Sequence, residues 1–211
     1  MVCLPVLALR GLCVFPKMLT HFDVGRKSSM AAVEEALRED QQIFLVTQKD
    51  VETDHPKRND LYTVGTVSIV KQVLRLPGEN MRILVEGQYR AELLDIVQSD
   101  PYLFGRMQKL EELPYNHSLP RVEALLRQAH SQFEQFAELS GRNMQEALLR
   151  LLTSEDAGYT ADFIGQDATF SYQNKQQLLE QLHPVKRLEL AIGLLAQELD
   201  ILQLESEISE K

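Results

Sequence analysis

The sequence predicts an α+β protein: a small closed or half-closed β-barrel over residues 1–115, then an all-α helical bundle over 116–211 that ends in a long helix. Three observations predict it. Asn59 to Leu93 reads as one long, bent hairpin. The β signal vanishes after Asn116. From Pro184 onward, apolar residues recur at helical spacing on both sides of Gly193, and no Gly, Asn or Pro terminates the run.

The hairpin organises the first half. Pro77 presets φ for the second residue of a turn and Gly78 accepts positive φ at the third, so Leu76-Pro77-Gly78-Glu79 reads as a type II turn. Met81, Ile83 and Val85 alternate with Arg82 and Glu86, the period-2 pattern of a strand with one face buried. Gly87 interrupts, and Tyr89, Ala91 and Leu93 resume on the shifted phase. An isolated Gly there predicts a bulge, which bends the sheet.

Other strands must cover such a hairpin. Leu4 to Leu9 is a short apolar run with Pro5 near its start, a position tolerated at a sheet edge. Val14 to Leu19 is hydrophobic around Pro16 and so is not a regular strand throughout. Leu19 to Val24 resumes strand character until Gly25. Ser28 or Ser29 can cap a helix carrying Met30, Val33 and Leu37. Ile43 to Thr47 reads as a buried strand, Lys49 to Asp60 as an exposed loop, and Leu103 to Leu110 as the last strand.

In the second half, Ser118 before Pro120 starts a helix with Val122, Leu125, Leu126, Ala129, Phe133 and Phe136 at three- and four-residue steps, stopped by Gly141. Asn143-x-x-Glu146 resembles a capping box ahead of Ala147, Leu148, Leu151 and Leu152. Short helices are expected around Ala161–Ile164 and over Asn174–Leu182. The helix from Pro184 would reach roughly 40 Å at ~1.5 Å per residue. Leu188, Ile192, Leu195, Leu199 and Leu202 form one stripe. Leu190, Leu194, Ile201, Leu204 and Ile208 form a second on nearly the opposite side. That second stripe faces either more of the bundle or another subunit.

Charge divides unevenly. Residues 1–110 carry 14 basic and 14 acidic side chains, whereas 111–211 carry 8 and 17, so the whole net charge of -9 sits in the second half. Neither half offers the basic surface that dominates nucleic-acid affinity. Cys3 and Cys13 read as buried small apolar residues of a cytosolic protein, with a single disulfide as the alternative. The apolar start lacks a basic leader segment, and no stretch approaches the ~20 residues of a membrane span. The sequence holds no phosphate-binding Gly-rich loop, no G-x-S-x-G elbow and no paired histidines at ligand spacing, so neither a catalytic residue nor a metal site is predicted.

Several segments together carry a family resemblance. They are Leu4-Pro5 with Leu9-Arg10, Phe15-Pro16 with Met18, Val24-Gly25-Arg26, Tyr62-Thr63-Val64-Gly65-Thr66, Leu76-Pro77, and Leu84-Val85-Glu86-Gly87 with Arg90-Ala91. In order and spacing they resemble the amino-terminal domain of Lon, the ATP-dependent protease La. Arg187-Leu188-Glu189 and Glu198 to Glu205 are similar to the helix that leads toward the Lon ATPase module. Residues 165–177 depart from the pattern. The resemblance implies a PUA-like β-barrel and a helical bundle. It also implies a cytoplasmic parent enzyme that continues into an AAA+ ATPase module and a Ser–Lys protease module, where ATP and Mg belong. It implies a role in protein quality control, with self-association in a homohexameric protease.

The function expected of such a chain is non-catalytic capture of unfolded or damaged protein. A capture surface must be apolar and exposed. Val14, Phe15, Met18 and Leu19 qualify because Pro16 keeps them out of a regular strand, and Leu76 with Met81 qualify at the hairpin tip. The alternative is that Phe15 and Met18 are core and that Leu76 and Met81 close one end of the barrel. Leu190, Leu194, Ile201, Leu204 and Ile208 are the self-association candidates. A second function class is a stand-alone polypeptide-binding protein with no protease attached. It is disfavoured by the unstopped terminal helix, and a stop codon directly after Lys211 would favour it. RNA binding, common among PUA-like barrels, is disfavoured by the zero net charge of the first half.

Overall fold

A computed structural model describes residues 1–211 and divides into two compact units, Met1–Glu111 and Glu112–Lys211. The division falls earlier than the expected 115/116. The reason is local: Glu112, Leu113 and Tyr115 bond to residues of the second unit. Glu112 accepts from Arg187 at 2.9 Å, the Leu113 N–H donates to the Leu182 carbonyl at 3.0 Å, and the Ala157 N–H donates to the Tyr115 hydroxyl at 3.0 Å.

The first unit holds β1 (Val2–Leu9), β2 (Leu19–Val24), α1 (Lys27–Arg38), β3 (Gln42–Thr47), a single 3-10 turn (Arg58–Asp60), β4 (Val64–Leu76), β5 (Asn80–Gln98) and β6 (Leu103–Lys109). The sheet is mixed, in the order β2-β5-β4-β3-β1-β6, and β6 pairs back onto β5. Only β1 and β3 run parallel. The 19-residue β5 can serve two neighbours in turn: its first part pairs with β2 and its last part with β6, while β4 runs along most of it.

Such length requires bending, and bulges supply it. The expected bulge is present: Ser68 opposes Gly87 while Val67 opposes Tyr89, leaving Gln88 as the extra residue. A second shift leaves out Lys71. Two more, at Leu94 and Val97, bend the part of β5 that meets β6. Gly78 has φ +83°, as its turn requires, and Glu79 adds a second left-handed residue at φ +63°.

The apolar core of this unit has two parts. One packs Leu7, Leu9, Val24, Met81, Ile83 and Val85 against Ala32, Val33 and Ala36 of α1. The other gathers Leu4, Val6, Ala8, Phe44, Leu93 and Met107. Alternation along β1 sends neighbouring residues to different parts. Helix α1 starts earlier than the serines suggested: Arg26 is its N-cap residue and makes no side-chain cap bond, while Ser29 is buried.

The second unit holds α2 (Pro120–Ser140), α3 (Gln145–Leu152), α4 (Ala157–Asp167), α5 (Tyr172–Glu180) and α6 (Pro184–Ser209). Leu119, not Ser118, is the N-cap residue of α2, and Gly141 ends that helix at φ +69°. The expected capping box at Asn143 does not form; Met144 is the N-cap residue, and Asn143 Oδ1 instead accepts from the Gln145 N–H at 3.4 Å. Helix α4 is buried on nearly every face, so its sequence shows little amphipathic period. Helix α6 starts at Pro184 as read. Its N-cap, His183, accepts the Val185 N–H on Nδ1 at 3.2 Å, a cap the sequence reading did not identify.

Candidate functional site: an apolar outer face on β2, β5 and β4

The capture surface expected from the sequence is mostly sealed. Val14, Phe15, Met18 and Met81 are buried. Pro16 does keep Val14 to Met18 out of a regular strand, but the segment is not thereby released to solvent. The Lys17 N–H donates to the Gly87 carbonyl at 2.8 Å and the Gly87 N–H to the Met18 carbonyl at 3.0 Å. Thr66 Oγ1 donates to the Val14 carbonyl at 2.6 Å. These bonds satisfy the backbone and let Phe15 point inward. Met81 shares the inner face of β5 with Ile83 and Val85, as its alternation required.

Leu19 stays in solvent at 56% exposure, and Leu76 is half-buried. Register explains both and adds new members. Leu19 opposes Glu86, His21 opposes Leu84, and Asp23 opposes Arg82. Across the other edge of β5, Gln72 opposes Leu84, Leu74 opposes Arg82, and Leu76 opposes Asn80. Directly opposed residues lie on one side of a sheet. Leu19, Leu74, Leu76 and Leu84 therefore share the outer face of a three-stranded patch, with Leu74 exposed at 58%. Leu74 and Leu84 were missed as site residues. Strand periodicity puts Gln72, Leu74 and Leu76 on one face, but both faces are mixed in polarity, and only register shows which is outward and places Leu19 beside them.

The charged groups of this face are paired among themselves. Arg82 Nε donates to Asp23 Oδ1 at 2.7 Å and Nη2 to Oδ2 at 3.3 Å. The Arg82 hydrogen bond holds the Asp23 carboxyl below its usual range, and Asp23 in turn raises Arg82. Lys71 lies 3.8 Å from Glu86. The face thus offers leucines between mutually neutralised charges, a surface suited to apolar side chains of little sequence preference.

The self-association candidates separate along α6. Leu194 is buried and Leu190 half-buried, because α2 and α4 both pack on this helix. Ile201, Leu204 and Ile208 are exposed. The second stripe thus faces the bundle in its first part and solvent in its last. No three His, Cys, Asp or Glu side chains converge as a metal site would need. No helix is long and apolar enough to cross a membrane.

A family model described as the ATP-dependent protease La (LON) substrate-binding domain matches residues 3–197. The Lon protease of Heliobacterium modesticaldum is 41% identical over 206 residues, covering 98% of this chain and 25% of its own. That of Desulforamulus reducens is 42% identical over 209 residues, with 98% and 25% covered. The chain spans about a quarter of the length of these curated relatives. Among solved structures, the N-terminal domain of a Mycobacterium avium complex Lon protease aligns with TM-score 0.73 at 22% identity, covering 92% of this chain and 98% of that one. A Lon N-terminal domain protein from Xanthomonas campestris aligns with TM-score 0.65 at 14% identity, with the same coverage.

Proposed function

The chain belongs to the family of Lon substrate-binding domains, and from that premise we propose that it captures unfolded or damaged polypeptide on the outer face of β2, β5 and β4. The observation that carries this reading is the exposure of Leu19 and Leu74 on one face with Leu76 and Leu84. A folded protein hides its leucines, whereas an unfolded chain presents them. Leucine against leucine gives affinity without directional bonds, which suits a binder that meets many sequences.

In this reading the first unit is a PUA-like β-barrel, supported by the return of β6 onto β5. The bound chain would pass to ATP-hydrolysing and proteolytic modules outside these residues, and nucleotide and Mg act there. The working compartment is the cytoplasm, consistent with Cys3 and Cys13 not being joined in a disulfide; Cys13 is buried as read from the sequence, whereas Cys3 is exposed. Self-association, if carried by this chain, uses the exposed end of α6 at Ile201, Leu204 and Ile208, within a homohexameric parent.

The test is the affinity of fluorescently labelled casein, a natively unfolded protein, for the chain and for a Leu19→Ser/Leu74→Ser variant. Loss of about tenfold or more, with unchanged circular dichroism, is the expected result. Equal affinity in a folded variant removes this face from consideration.

A further inference from the structure

Strand β2 pairs on one side with β5 and has no strand on the other. Strand β1 pairs with β6 over Val2–Val6 and with β3 over Val6–Leu9, so on the β6 side its last residues also lack a neighbour. These two unpaired edges, Leu7–Arg10 and Phe22–Arg26, line a single cleft of about 340 Å³. It opens on the other edge of β2 and meets the leucine face at Asp23, which lines the cleft while its carboxylate is held by Arg82.

The cleft has an apolar wall and a cationic rim. Leu7 and Val24 belong to the core, and Leu12 and Phe22 pack half-buried against it. Arg10 and Arg26 stand at the rim. Arg26 Nη2 donates to the Ala8 carbonyl at 2.7 Å, so a side chain already satisfies one acceptor of the β1 edge. Burial, and then the charge of Arg10, hold the Arg26 guanidinium below its usual range. Arg10 Nη2 donates to Asp54 Oδ1 at 3.0 Å, and the Asp54 side chain is 80% exposed. An exposed pair of this kind is worth little and exchanges readily. Arg10 Nη2 also donates to the Thr53 carbonyl at 3.2 Å, and its pairing with Asp54 shows that this guanidinium accepts a carboxylate partner.

We propose that this cleft binds the C-terminal end of a polypeptide whose last side chain is apolar. The terminal carboxylate would replace Asp54 on Arg10, and the side chain would lie against Leu12 and Phe22. Size selects a chain end over an internal segment: about 340 Å³ is near the lower limit for small-ligand sites, and an extended chain advances about 3.3 Å per residue. Charge selects the carboxylate, since guanidinium groups bind it with paired, directed hydrogen bonds. The inference rests on the reading that the chain binds unfolded polypeptide, and it adds a second contact with its own chemistry.

The experiment titrates the full chain against short labelled peptides ending in Ala-Leu, one with a free carboxylate and one with a terminal amide. A third, also amidated, carries an internal Asp. The free acid is expected to bind about tenfold more tightly than either amide. Arg10→Gln is expected to abolish that difference with unchanged circular dichroism. Free acid on the isotope-labelled wild-type chain is expected to shift amide resonances of Leu7–Leu12 and Phe22–Arg26. Equal binding of acid and amide overturns the proposal, as does an Asp peptide that matches the free acid, or an Arg10→Gln chain that still discriminates. Casein measured in parallel separates the two readings. Casein bound without discrimination among peptides leaves capture standing and removes the cleft. Discrimination without casein binding leaves the cleft standing and removes capture by the leucine face.

Discussion

The Phe15 carbonyl oxygen occupies the position that a Cβ on residue 87 would need. Gly87 is therefore fixed by close approach of another backbone rather than by its own dihedral angles. The contact holds the segment from Val14 to Met18 against β5 and keeps the Phe15 ring in the core. Gly87→Ala must push this segment away, at a cost of about 1–3 kcal/mol. Equilibrium urea unfolding checks it, and a variant as stable as the parent would mean the segment relaxes freely.

Phe15 and Leu19 should respond in opposite ways. Phe15→Ser removes a fully buried ring and should cost about 3–5 kcal/mol, as large-to-small core changes do. Leu19→Ser touches an exposed side chain and should stay within about 0.5 kcal/mol. Urea unfolding of both variants gives the comparison. It also decides which of them is usable in a binding assay.

In the second unit Arg187 is fully buried and donates from all three guanidinium nitrogens. Nε reaches the Gln181 carbonyl at 2.9 Å, Nη1 the Gly158 carbonyl at 3.3 Å, and Nη2 Glu112 Oε1 at 2.9 Å. Nη1 also lies 3.4 Å from Asp162 Oδ1, and the Asp162 side chain is itself buried. Removing one partner of a buried pair strands the other, so Arg187→Met should cost about 3–5 kcal/mol. Asp162→Asn should cost less, because Arg187 keeps its remaining acceptors. Both values come from urea unfolding followed by circular dichroism.

His130 on α2 should make the bundle acid-sensitive. Its Nε2 is buried without a partner, and burial holds its pKa below the usual 6.5. The unfolded chain then takes up the proton first as pH falls. The contribution of this group is fully present above the unfolded pKa, and it is lost as pH drops through that value toward the lower folded one. His130→Gln should flatten stability against pH below about 6.5. An unchanged slope would assign the acid sensitivity elsewhere.

Along α6, Leu194→Lys should destabilise the bundle, because it places an ammonium in a buried site. Leu204→Lys should leave the fold intact and shift any self-associated species toward monomer in sedimentation velocity. Identical sedimentation of Leu204→Lys and the parent, at concentrations where the parent associates, would remove the distal stripe as an interface.

Much of the fold was legible because its signals are local. Alternation at Met81, Ile83 and Val85, the break at Gly87, the turn at Pro77-Gly78 and the stop at Gly141 each report on their own neighbourhood. The candidate capture surface was less legible because exposure is a tertiary property. Pro16 predicts irregular backbone, but irregular backbone can still be buried once Gly87 and Thr66 satisfy it. Met81 was a conflict visible in the sequence itself: its alternation put it inside, and only its place near the turn suggested otherwise. Leu74 and Leu84 needed register, which follows from two bulges whose positions no single strand encodes. The Arg26 cleft needed more still, since it lies between strands that do not pair.

The most direct measurement maps where an unfolded chain touches this one. Casein is titrated into isotope-labelled protein and amide signals are followed residue by residue. Changes at Leu19–Asp23, Leu74–Leu76 and Arg82–Glu86 are the result expected here. Changes confined to residues 112–211, with those three segments silent, would contradict capture by the leucine face.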